Sequence, residues 1–117
     1  MMNDDDNAPG MPEPKRVGPP EVAPVTIGGL RFEALHWGRE RGLPQNGGLV
    51  EAFDAASGAR QWVLQIYAID YDPTLEEDVQ DIFIEKLKAG PHGTLKVVDE
   101  NGRHFVVDLA TLTVTQK

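Results

Sequence analysis

The chain has no cysteine. That excludes disulfides, thiolate metal sites and cysteine nucleophiles. It has a single serine, Ser57, placed in a turn context and not in a nucleophile elbow. There is no HExxH pair and no glycine-rich phosphate loop leading into a helix. No apolar run approaches membrane-spanning length, and the acidic N-terminus lacks the apolar stretch of a secretory signal. The expected location is therefore cytoplasmic, with no membrane partner. Positive charge is scarce: eleven Lys and Arg face nineteen Asp and Glu, a net charge of −8. Backbone binding to DNA or RNA rests on neutralising phosphates, so no nucleic-acid partner is expected. Between Asp70 and Asp81 there is no basic residue at all.

What is present fits one domain. The chain has 117 residues, enough for one core and too few for two ordinary ones. Six of the nine prolines fall in residues 1–24, which show no hydrophobic period. Such a segment cannot bury enough apolar surface to offset its ordering entropy. We expect 1–24 to be an acidic, proline-rich disordered tail and 25–117 a single β-rich domain.

The stretch Gly48 to Tyr71 anchors the fold argument. Two β-prone runs flank Asp54-Ala55-Ala56-Ser57-Gly58-Ala59, which has turn chemistry. Gly58 takes a positive φ at little cost, as a turn followed by a bulge requires. In the second arm Trp62, Leu64, Ile66 and Ala68 share a face. Val25–Ile27 and Leu30–Leu35 read as two more strands around Gly28-Gly29. Further on, Thr94–Asp99 and His104–Leu109 flank Asn101-Gly102, a type I′ hairpin signal. That turn would set Glu100 opposite Arg103, Asp99 opposite His104, Val98 opposite Phe105 and Val97 opposite Val106. Thr113–Thr115 reads as a last strand. Phe53-Asp54-Ala55-Ala56-Ser57 is echoed by Val107-Asp108-Leu109-Ala110-Thr111, which suggests two similar hairpins.

The segment 72–91 supports two readings. Thr74 with Glu77 makes a capping box, and Leu75, Val79, Ile82, Phe83 and Leu87 make a helical stripe. Against this, Ile82-Phe83-Ile84 is strongly β-prone, and Gly90-Pro91-His92-Gly93 suits a hairpin turn. The expectation is a mainly β fold of antiparallel hairpins, as a small sheet, sandwich or blade-like meander, with a short helical turn near 74–79. The alternative is α+β with one helix at 74–88.

Ala52-x-Asp54-x-x-Ser57-Gly58-x-x-x-Trp62 resembles the repeat of quinoprotein-type β-propellers, A-x-D-x-x-T-G-x-x-x-W, over residues 48–71. In that family the motif is structural. The resemblance implies hairpin geometry and a packing role for Trp62. One blade-sized sheet cannot close a propeller, so it implies no cofactor. The run from His36-Trp37-Gly38 to Gln45-Asn46-Gly47-Gly48 resembles short bacterial proteins, from which no activity transfers.

The candidate site is the glycine-rich loop 36–48. It offers an imidazole (His36), an aromatic platform (Trp37), two guanidinium groups (Arg39, Arg41) and two amides (Gln45, Asn46). Arginine forks suit carboxylate or phosphate, and binding residues often ride on loops over a rigid sheet. The opposing reading pairs the arginines with Glu33, Glu40 or the acidic segment. Asp70, Asp72, Glu76, Glu77 and Asp78 offer carboxylates to a hard cation, but the turn glycine of a calcium loop is missing. An Asp99–His104 pair, or His36 or His92 with an acid, could serve proton transfer. The mutual roles of a catalytic site are not met. We therefore expect a non-catalytic interaction module with a protein partner, no cofactor and no metal. The alternative is a small-molecule or ion binder using loop 36–48 or the 70–81 acidic cluster. An exposed edge strand would also invite a homodimer.

Overall fold

The computed structural model describes residues 18–76 and 79–117. The order of strands follows the chain. β1 (Val25–Ile27), β2 (Leu30–Leu35), β3 (Leu49–Asp54) and β4 (Arg60–Gln65) form one antiparallel sheet. β5 (Ile84–Ala89), β6 (Thr94–Asp99), β7 (His104–Asp108) and β8 (Thr113–Gln116) form the other. Each is a meander whose neighbours in sequence are neighbours in space, and the sheets do not join into a barrel. The fold is mainly β. Among the described residues the one helical element is a 3-10 turn at Gly38–Arg41, and no helix is long and apolar enough to cross a membrane.

Period-2 alternation builds a single core between the sheets. Phe32, Val50 and Ala52 come from the first sheet, with Trp62 and Leu64 packed against them. Ile84, Leu87, Leu95, Val97, Phe105 and Val107 come from the second. Trp62 tilts against Phe32, with centroids 5.7 Å apart, so it does pack inward. The connector contributes Ile66 and Tyr67, and Tyr67 stacks on Phe105 at 5.2 Å. Folded contacts begin ahead of residue 25: the Pro20 carbonyl accepts a bond from His36 and Val22 packs against the core.

The expected helix at 74–79 or 74–88 is absent from the described residues; Glu77 and Asp78, and with them the capping box, lie outside those residues. The supposed apolar stripe does not share a face, since Leu75 and Val79 are exposed while Phe83 is fully buried. Two competing interactions explain the outcome. Gln80 satisfies the local backbone from its side chain, donating to the carbonyls of Asp72, Leu75 and Glu76 and accepting from Asp72 N–H. From Ile84 onward, pairing with β6 takes over, and a bulge between Ile84 and Lys86 keeps Ile84 and Leu87 on the core side.

The β6–β7 hairpin also differs from expectation, by one residue. Val98 lies opposite His104, Val97 opposite Phe105 and Lys96 opposite Val106. The loop has three residues, not two. Gly102 alone has positive φ (80°), and Asp99 N–H and Arg103 carbonyl close the loop. Asp99 decides it: buried, its Oδ1 accepts the N–H groups of Asn101 and Arg103 at 2.9 Å each. A one-residue slip moves every side chain to the other face. This register puts Phe105 and Val107 in the core with Leu95 and Val97, and leaves Lys96, Val98, His104 and Val106 outside. The type I′ geometry is found instead at Gly28-Gly29, with φ of 57° and 85°.

The echo between Asp54 and Asp108 extends through the structure. Gly58 N–H donates to Asp54 O and Leu112 N–H to Asp108 O, both at 2.7 Å. Gly58 has φ 79° and Leu112 φ 59°. The residue after each aspartate then bonds the first turn of its own sheet: Ala55 N–H to Gly29 O and Leu109 N–H to Gly93 O. The two meanders are thus cross-tied in the same way.

Candidate functional site

Loop 36–48 is held by close approach. A Cβ on Gly38 would overlap the Gln45 carbonyl and the Leu49 side chain, and one on Gly47 would overlap the Ile82 carbonyl. Gly38 N–H donates to Asn46 O, closing the loop on itself.

The six residues singled out from the sequence lie in this one loop, but most of their polar atoms face inward. Gln45 is 3% exposed. Its Nε2 donates to Gly47 O and Tyr67 O, and its Oε1 accepts from Ile69 N–H. Asn46 accepts Arg39 N–H on Oδ1 and donates from Nδ2 to Asp81 at 3.2 Å. His36 Nε2–H donates to Pro20 O at 2.8 Å, which fixes the tautomer, and its ring meets Phe83 edge-on at 5.1 Å. Arg41 reaches across to Glu51, Nη2 to Oε2 at 2.5 Å, and Arg60 approaches the same carboxylate at 3.4 Å. Glu51 is 6% exposed, so these two cations neutralise a buried acid. The Glu51 hydrogen bond and charge push the Arg41 pKa up. Neither Glu33 nor Glu40 is the partner of Arg41; Arg31 takes Glu33, at 2.7 Å.

Arg39 lies with its guanidinium 4.4 Å over the Tyr71 ring and donates Nε–H to Pro44 O. Tyr71 donates its hydroxyl to the buried Asp81 at 2.5 Å. Burial first, and then that bond to a carboxylate, push the Tyr71 hydroxyl up to about 12. Burial, and then the Asp99 charge, push Tyr67 higher still. Trp37, like Arg39 and Arg41, is exposed, and it is the apolar one of the three. Trp37 is 44% exposed, and its ring is anchored edge-on against Phe83 at 5.5 Å.

The acidic segment is partly used by the fold. Asp72 caps the Thr74 N–H and hydroxyl, and these two bonds, the hydroxyl first, lower its pKa. Among the described residues no three His, Asp or Glu gather closely enough to hold a metal ion; Glu77 and Asp78 lie outside them. The expected Asp99–His104 pair does not form. Asp99 turns into the core and takes Arg103 Nε at 2.5 Å, with the guanidinium over the Tyr67 and Phe105 rings, while His104 is on the outer face.

One group of residues escaped the sequence reading. Lys86, Lys88, Lys96 and Lys117 are exposed around the outer face of the second sheet. The signal was available: Lys86-Leu87-Lys88 alternates with strand period, but these lysines also suit a helix C-terminus, which masked them. No protein family matches this chain, and no curated protein is significantly similar to it.

Proposed function

We propose that this chain is a non-catalytic interaction module that binds a protein partner through the tip of loop 36–48. The observation that carries the reading is the fate of the loop's side chains. Gln45, Asn46 and Arg41 are engaged in holding the loop to the connector and to Glu51, whereas Trp37 presents nearly half its surface to solvent. A rigidly mounted, exposed tryptophan, on a loop whose Arg39 lies over Tyr71, matches the composition of interface hot spots. Such an anchor loses little entropy on binding, because its backbone and edge contacts are already fixed.

The test is capture from a bacterial lysate by immobilised wild-type chain, Trp37→Ala and Val79→Ser, the last altering a more exposed apolar residue elsewhere. A protein held by the wild type and by Val79→Ser but lost from Trp37→Ala supports the reading. The same proteins on all three would end it. A calcium- or anion-dependent rise in melting temperature would favour the small-molecule or ion binder instead, since a ligand that binds only the folded state stabilises it.

A further inference from the structure

The outer face of the second sheet has two cross-strand rows. One runs Lys86, Val98, His104, with Lys117 N–H bonded to His104 O; the other runs Lys88, Lys96, Val106, Thr115. Lys88 and Lys96 are direct cross-strand partners. Like charges placed opposite each other destabilise a sheet. Among the described residues, ion pairs join carboxylates to arginines, and none involves these lysines. Two carboxylates share this face: Asp108 accepts the Ala110 N–H in its turn, and Glu85 is exposed beside Lys86 at the bulge, off the Lys88–Lys96 row. Four of the five lysines of an acidic chain are thus gathered on one face, and none of them joins an ion pair among the described residues. A shallow groove of about 340 Å³ runs along it past His92, Thr94, Lys96, Val106 and Lys117.

We infer that this face is the docking surface for a short, extended acidic segment of a partner protein. Alternate residues of an extended chain repeat at about the same spacing as Lys86 and Lys88 on β5. Acidic side chains at alternate positions would meet the lysine ammonium groups, and the residues between them would point away from the face. A long polyanion fits less well. Outside these four lysines the chain has seven cations against nineteen acids, so a polymer that ran beyond the face would meet repulsion within about a Debye length, roughly 8 Å at physiological salt. Neither row holds a Phe, Tyr or Trp for bases to stack on; His104 is the one ring in them. The inference extends the reading of the chain as an interaction module but is independent of the Trp37 surface.

The probe is a fluorescein-labelled octapeptide of alternating Glu and Val, followed by anisotropy. Saturable binding to the full chain is expected, weakened about tenfold in Lys88→Gln/Lys96→Gln, weakened by added salt, and unchanged in Trp37→Ala. Equal affinity in the double variant, or no saturable binding, overturns the inference. So does tighter lysine-dependent binding of a single-stranded oligo-dT, which would give the face to a phosphate polymer. Lys88→Glu should also raise the melting temperature by turning a repulsive pair into an attractive one. A lowered value would show that the lysines serve the fold, and would overturn it too. Failure of this binding with retained Trp37-dependent capture removes the lysine face and leaves the loop reading in place.

Discussion

Gly28 and Gly58 turn the first meander at φ of 57° and 79°; His92 and Leu112 turn the second at 56° and 59°. The outer faces differ in the same sense. On the first sheet the charges answer each other, Arg31 to Glu33 and both Arg41 and Arg60 to Glu51. On the second, Lys88 faces Lys96. The first meander is therefore consistent at every level, from turn residue to cross-strand pair. The second has the same strand order and the same cross-ties with residues that oppose it locally. Natural chains tolerate such local conflict mainly where another demand is served, and the lysine face is where the second sheet shows it.

The outer faces give the largest test. Glu51→Ala should cost about 2 kcal/mol, because it deletes a buried side chain and its charge-assisted bonds. The cost stays below that of stranding a buried charge, since Arg41 and Arg60 are 37% and 54% exposed and can turn to water. Lys88→Ala or Lys96→Ala on the other sheet should stay within about 0.5 kcal/mol of wild type. Urea melts measure both. A lysine variant as costly as Glu51→Ala would erase the contrast between the faces.

The turns give a smaller effect. A Cβ on Gly58 would touch nothing, so only its φ matters there. Gly58→Ala should cost about 1 kcal/mol, the left-handed penalty of an L-residue. The reverse change is not its mirror. Leu112→Gly relieves similar strain but frees the unfolded chain, a loss of about 0.4–1 kcal/mol. Its net effect should lie within about 0.5 kcal/mol of zero. A neutral Gly58→Ala would mean that the two turns are not equivalent.

The hairpins were legible because their signals are local. Asp54 to Ala59 shows its turn, Gly28-Gly29 shows another, and alternation marks most strands. What was not legible depended on burial. Nothing in Asp99-Glu100-Asn101-Gly102 says that Asp99 will be buried and bonded to Asn101 and Arg103, yet that burial moved the register by one and separated Asp99 from His104. Residues 72–91 had helical propensity, and pairing of Ile84–Ala89 with Thr94–Asp99 overrode it, as tertiary context commonly does. The site loop was visible as a cluster. That Gln45 and Asn46 bind Tyr67 and Asp81, far along the chain, was not. The lysine face could be seen only once β5 was a strand.

The aspartates that open the two turns offer the finest comparison. Asp54 Oδ1 accepts the N–H groups of both Ser57 and Ala56, at 2.9 Å each; Asp108 Oδ1 accepts only that of Ala110. The Ser57 bond first, then the Ala56 bond, hold the Asp54 carboxyl below its ordinary value. A carboxyl lowered in the folded state stabilises the protein at pH above its unfolded value, about 3.9, and loses that stabilisation as pH falls through the lowered folded value. Asp54→Asn removes the charge and keeps an oxygen acceptor. Its melting temperature should therefore lie below wild type near neutral pH, and the gap should close as the pH drops from about 5 towards 2. Asp108→Asn should open a smaller gap at neutral pH, because one N–H loses a charged acceptor and not two. Equal gaps would mean that the number of capped N–H groups does not set the strength of these turns. A gap at Asp54 that stays constant down to pH 2 would mean that the asparagine disturbs the turn by shape, and that the charge contributes little.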